Sequence, residues 1–289
     1  MDLLDELKAR IVCGDGAMGT RLLDTGVPIE RCFEELCISE PERIRKIHEE
    51  YIAAGARVIE TNTFGANAVR LRRFGQEKRV GEINRSAVQL ARAATKGRDV
   101  YIAGSVGPLG ITADEARAGG IARENCFREQ IGALLDGGVD LIFFETFTDC
   151  EEIEIALRAK KELSDAAEIC SFACARDGRL ACGMSLGEAF GRLRKMGAKI
   201  LGLNCMNAPR EMAALLQQVP DEYLLAVYPT AGQPQYQSGR FAYDVTPEAF
   251  AATARNIMGE GGRLLGGCCG TTPAHIAALA RMIRDFEAR

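Results

Sequence analysis

A chain of 289 residues with 47% hydrophobic side chains can bury a sizeable core, and a single α/β barrel commonly takes about 250 residues. The formal net charge of -4 leaves no basic footprint for nucleic acid, and no apolar run is long enough to span a membrane, so neither is an expected partner. Eleven cysteines, behind a charged stretch at 1–10 that reads as a helix and not as a secretory signal, point to thiols or metal ligands in a cytoplasmic protein.

Short apolar runs alternate with amphipathic stretches along the whole chain. The pattern predicts a strand at 11–14 and a helix at 41–54, then a strand at 58–61 and a helix at 80–95. A strand at 100–104 and a helix at 123–137 follow, then 141–145 and 150–164, and 168–173 and 185–196. The last three pairs are 200–204 with 209–219, 224–228 with 247–259, and 264–267 with 273–286. Gly55, Gly138 and Gly197 stand between a helix and the next strand, where C-terminal caps belong. Eight β/α pairs of this kind predict a parallel sheet closed into one (β/α)8 TIM barrel, a single domain over 1–289.

Barrels of this kind carry their chemistry at the C-terminal strand ends. Asp15 follows the first strand, and Thr61, Asn62 and Thr63 end the second. Glu145 and Thr146 end the fourth, Asn204 and Cys205 the sixth, and Cys268 and Cys269 the eighth. The last pair sits in Gly266-Gly267-Cys268-Cys269-Gly270-Thr271-Thr272-Pro273, a glycine bend ahead of a helix. Strands six and eight lie two apart around a closed barrel. Their three thiols can share one tetrahedral zinc and leave its fourth position open, as a catalytic zinc requires. Spacing alone leaves open the other reading, three ordinary thiols. A structural zinc or an iron–sulfur cluster would draw on four cysteines, and no Cys-x-x-Cys pair is present. With only His48 and His275 in the chain, any metal site is built from sulfur or carboxylate. Cys13, Cys32, Cys37, Cys126, Cys150, Cys170, Cys174 and Cys182 read as small buried hydrophobes.

Gly14-Asp15-Gly16-Ala17-Met18-Gly19-Thr20 is a glycine-rich loop whose N–H groups can approach an anion. It lacks the lysine of a P-loop and the spacing of a dinucleotide fingerprint. Asp15 beside it attracts an ammonium group, so loop and carboxylate together suit a zwitterion, an amino acid. Glu145 offers the same ammonium a second carboxylate, unless it is a solvated strand end. Arg70, Arg72 and Arg73 read as a solvated basic face.

Four segments in order, the loop from Gly14, Glu60-Thr61-Asn62-Thr63-Phe64-Gly65-Ala66-Asn67, Gly202-Leu203-Asn204-Cys205 and the double-cysteine bend, resemble the homocysteine S-methyltransferase family. Arg31-Cys32-Phe33-Glu34-Glu35-Leu36 is similar to the homocysteine-binding half of bacterial proteins fused to a methylenetetrahydrofolate reductase. The resemblance implies zinc on Cys205, Cys268 and Cys269. It places homocysteine's carboxylate on the backbone of Gly16, Ala17 and Met18, and its ammonium on Asp15 and Glu145. Two departures stand out. Pro229-Thr230-Ala231-Gly232 replaces the Pro-Asn-Ala-Gly of methionine synthase modules, and Thr146 replaces the tyrosine of betaine enzymes.

The implied activity is zinc-dependent methyl transfer to homocysteine sulfur, giving methionine. The substrate thiolate is the nucleophile, and no separate base is expected. A metal centre rich in thiolates favours a cationic methyl donor, so a sulfonium such as S-methylmethionine is expected. The alternative is a methyl-corrinoid protein charged by methyltetrahydrofolate, or a reductase partner, acting in trans. A different class altogether is a non-catalytic zinc- or thiol-binding protein.

Overall fold

The computed structural model describes residues 2–220, 223–237 and 240–288. Eight parallel strands form its centre: Val12–Cys13, Val58–Glu60, Tyr101–Val106, Leu141–Phe147, Ala167–Phe172, Ile200–Asn204, Leu224–Tyr228 and Gly262–Leu265. Numbered one to eight in chain order, they pair as one-eight-seven-six-five-four-three-two. Val12 lies beside Leu264 and Cys13 beside Leu265. A parallel bridge from Gly14 to Val58 then joins strand one to strand two and brings the sheet round into a barrel. The predicted fold is the observed one.

Helices Pro41–Ala54, Val80–Thr95, Arg123–Gly137, Cys150–Leu163, Leu186–Lys195, Pro209–Leu216, Pro247–Gly259 and Pro273–Glu287 surround the strands. Four of them begin on proline, whose missing N–H is no loss in the first turn. Gly55 and Gly138 end helices Pro41–Ala54 and Arg123–Gly137 in the left-handed conformation, at φ 113° and 88°.

Alternation of side chains along a strand sorts the residues. Val12, Val58, Ala103, Leu141, Phe143, Ile169, Ile200, Ala226 and Leu264 point inward and fill the barrel. Leu3 and Leu7 of helix Leu3–Ala9 join that cluster at the N-terminal end. Stepping two residues up the strands from Val58, Phe143, Ile169 and Ala226 reaches Glu60, Glu145, Ser171 and Tyr228. The interior therefore changes from apolar to polar over one layer, at the C-terminal ends.

The last strand lies two residues earlier than the predicted 264–267. Gly262 continues the ladder beside Leu225, while the Gly267 N–H leaves it to donate to the Asp15 carbonyl at 2.8 Å. Short helices Gly19–Asp24, Leu36–Ser39, Ala68–Leu71 and Ala113–Ala118 occupy the loops. A hairpin of Gln235–Gln237 and Arg240–Ala242 does the same after strand seven. Each is too short to register as a periodic pattern.

Most cysteines are buried as expected, but Cys126 is half-buried and Cys182 is exposed. Cys182 lies in an exposed turn ahead of helix Leu186–Lys195. Arg70 also departs from the solvated reading. Its guanidinium lies 4.8 Å from the Phe64 ring centroid and donates to the Pro108 carbonyl at 2.8 Å. No helix among the described residues is long and apolar enough to cross a membrane.

Candidate metal and substrate site

A cavity of about 320 Å³ opens at the C-terminal ends of the strands. Asp15, Gly16, Ala17, Met18, Glu145, Cys205, Cys268 and Cys269 all line it, so every residue singled out for metal or substrate meets there. No Lys, Arg or His is among its lining residues.

The three sulfurs lie within 4.8 Å of one another, with Cys205 Sγ and Cys269 Sγ at 3.9 Å. Cys205 adopts φ 60° and Met206 φ 56°, a left-handed turn that L side chains avoid at a cost of about 1–2 kcal/mol each. Flanking hydrogen bonds enforce it, with Cys205 N–H donating to the Tyr228 carbonyl at 3.0 Å and Thr230 N–H to the Asn207 carbonyl at 3.0 Å. Hydrogen bonds from Cys205, then Cys268, pull the Cys269 thiol down to about 4. The bond from Cys268 favours a Cys205 thiolate, but the bond to Cys269, burial and the Cys269 charge push Cys205 up to about 12. Its bonds to Cys205 and Cys269, then burial, hold Cys268 well above the ordinary thiol range. Three thiols so crowded oppose one another's ionisation, and a cation among them would offset that repulsion.

The loop of the double cysteine is tied to the loop of Asp15. Thr271, fully buried, accepts from Ala17 N–H at 3.0 Å and donates to the Cys268 carbonyl at 2.7 Å. Gly270 N–H donates to Thr20 Oγ1 at 3.1 Å. A Cβ on Gly16 would lie 2.8 Å from both Thr271 Oγ1 and Tyr51 Cε1, so only glycine fits. Thr271 takes the Ala17 N–H, while the neighbouring Gly16 and Met18 N–H groups are left open to an anion. Thr271→Val should leave the Ala17 N–H buried and unpaired, at about 1–3 kcal/mol. Thermal unfolding should show this as a Tm lowered by several degrees.

Three carboxylates gather opposite the sulfurs. Asp15 Oδ2 accepts from Glu60 N–H at 2.8 Å. Glu145 takes a short hydrogen bond from Ser105. Asn204 Nδ2 lies 3.5 Å from Glu145 and donates to Thr146 Oγ1 at 2.7 Å. Ser171 Oγ, at 2.8 Å, fixes the Asn204 carbonyl oxygen. Burial raises all three acids. For Asp15 the Glu60 N–H opposes it and the Glu145 charge adds to it. For Glu60 the charges of Glu145 and Asp15 add to it. For Glu145, hydrogen bonds from Glu60 and Ser105 oppose it. Burial and mutual charge thus push Glu60 well above the ordinary carboxylate range, while its contact with Glu145 pulls Glu145 the other way.

The chain matches the family model "Homocysteine S-methyltransferase" over residues 12–283. It belongs to that family. The chain is 31% identical over 305 residues to the methionine synthase of Mycobacterium tuberculosis, a match covering 99% of this chain and 26% of that protein. The methionine synthase of Mycobacterium leprae matches at 31% over 307 residues, 98% and 25%. The chain thus spans about a quarter of the length of these curated relatives. The metallated form of homocysteine methyltransferase MmuM from Escherichia coli superposes with a TM-score of 0.79 at 29% identity, covering 96% of this chain and 99% of that one.

Within this homocysteine S-methyltransferase barrel, Thr230 is buried and its hydroxyl donates to the Gly232 carbonyl at 2.9 Å. It does not line the cavity, whereas Thr146 does. Glu60 and Tyr228 also line it, and the sequence reading assigned neither a role. Glu60 stands two residues after inward-facing Val58, so strand alternation could have placed it.

Proposed function

We propose that the chain transfers a methyl group to the sulfur of homocysteine, giving methionine, with zinc held by Cys205, Cys268 and Cys269. The observation that carries this reading is the meeting of three thiols with a carboxylate cluster in one cavity of a barrel of this family. The thiols suit the ion. A tetrahedron of 2.3 Å zinc–sulfur bonds has edges of about 3.8 Å, against 3.9 Å between Cys205 and Cys269. Bound there, zinc would supply the positive charge that keeps a substrate thiol deprotonated at neutral pH.

The chain's own residues bind and aim the amino acid. Asp15 and Glu145 receive its ammonium, while Asn204 and Ser105 hold Glu145 in place. The free N–H groups of Gly16 and Met18 receive its carboxylate. Fixed at both ends, the side chain directs its sulfur toward the cysteines. The sulfur lone pair then forms a bond to the donor's methyl carbon. The old bond breaks with its electron pair returning to the donor, which leaves neutral if it arrived as a sulfonium.

A cavity lined by acids and thiols, with no basic side chain, favours such a cationic donor. The second reading, a methylated corrinoid from a partner, draws on the likeness to methionine synthases several times longer than this chain. Purified zinc-loaded protein should form methionine from homocysteine and S-methylmethionine without any partner. Methionine from methylated corrinoid alone would instead establish the second reading. Homocysteine binding without turnover from either donor would leave a thiol-binding protein.

A further inference from the structure

Two polar atoms at the floor of the cavity have no protein partner, the Tyr228 hydroxyl and Asp15 Oδ1. Tyr228 is 2% exposed and Asp15 3%, and both line the cavity. Buried polar groups in native proteins are nearly always satisfied, so two orphans facing one cavity point to something that enters it.

The phenol is held rigidly. Phe143 meets it edge-on, with centroids 5.2 Å apart and planes at 76°. Strands one and eight make room for it through Gly14 and Gly266. A Cβ on Gly14 would come within 2.1 Å of the hydroxyl, and one on Gly266 within 2.3 Å of ring Cε1. The groups acting on the hydroxyl are acidic: Glu60 first, then Asp15, Cys13 and Glu145. With no protein partner of its own, the phenol oxygen keeps its lone pairs for an incoming N–H. Nothing basic lines the cavity to supply that N–H.

We propose that Tyr228 is a substrate-binding residue whose hydroxyl accepts a hydrogen bond from the amino group of the bound amino acid, beside Asp15 Oδ1. The inference rests on the amino-acid reading of the site given above. It adds a neutral acceptor to the two charged ones. The floor then senses the amino group independently of the thiol, and thiols lacking that group lose three contacts at once.

Calorimetric titration of zinc-loaded protein with homocysteine and with 4-mercaptobutanoate, the same chain without the amino group, tests this. Tyr228→Phe removes one oxygen and keeps the ring. It should weaken homocysteine about tenfold and leave 4-mercaptobutanoate within about twofold. Equal weakening of both ligands, as a water-bound or purely structural hydroxyl would give, overturns the proposal. So does an unchanged homocysteine affinity. Binding of 4-mercaptobutanoate also reports an intact site. Should Tyr228→Phe fail to fold, Tyr228→Met carries the same comparison. A wild-type protein that binds both thiols equally sinks the amino-acid reading itself, and this inference with it. A wild-type preference for homocysteine that Tyr228→Phe leaves undiminished sinks only the inference.

Discussion

Cys269→Ala is expected to leave the protein without its metal and to lower methionine formation by about 100- to 1,000-fold, and Cys205→Ala should do the same. The argument starts from geometry. Cys268 and Cys269 come from one bend and Cys205 from a left-handed turn two strands away, and all three sulfurs fall within 4.8 Å. Two sulfurs cannot replace that set, because the remaining lining offers no histidine and its carboxylates serve elsewhere. Without metal the substrate thiol returns to its ordinary pKa of about 8.5, and only a few per cent is thiolate at pH 7. Loss of charge stabilisation by the ion, worth several kcal/mol, accounts for the rest. Atomic absorption on the purified variants and chromatographic assay of methionine measure the two quantities. A variant retaining both would show that its cysteine is a bystander.

Glu145→Gln should raise the KM for homocysteine by at least about 30-fold, since truncating one member of a buried charge pair costs about 2–5 kcal/mol. Glu60 modifies that expectation. Its carboxyl is pushed well above the ordinary carboxylate range by burial, then by the charges of Glu145 and Asp15. Removing the Glu145 charge lifts part of that pressure, and Glu60 can then ionise and serve the ammonium in its place. Glu60→Gln alone should therefore cost little. Glu60→Gln combined with Glu145→Gln should lose more than the sum of the two single variants. Steady-state kinetics on the four proteins of this cycle measure the coupling. Additive losses would mean that Glu60 is only a filler of the barrel.

The comparison with the sequence is instructive residue by residue. Helices at 41–54, 80–95, 123–137 and 247–259 were legible to their ends because long amphipathic periods and proline or glycine boundaries agree. The cysteine cluster was legible because the barrel order brings the ends of strands six and eight together. Glu60 escaped because one carboxylate closing an apolar strand resembles any polar strand end. Its meaning appears only when Asp15 and Glu145 stand opposite. Tyr228 escaped for the reverse reason: an aromatic at the end of Leu224–Tyr228 reads as core, and its orphan hydroxyl is a property of three-dimensional surroundings. The Ala17 N–H was assigned to a substrate carboxylate because nothing in the local loop foretells an acceptor from Thr271, 254 positions away.

That last bond belongs to a seam with a wider meaning. Strand one lies against strand eight, and the contacts that align the two binding loops join residues separated by 254, 250 and 220 positions. These contacts cannot form in a partly made chain. A fragment lacking either end would hold some ligands but not their alignment. Any ligand held by both loops is thereby linked to closure of the whole ring, and would stabilise the entire fold rather than one loop. Such long-range pairings also carry the largest entropic penalty in folding and tend to form late. The functional centre is in this sense the clasp of the barrel, completed only when the chain's two ends have met.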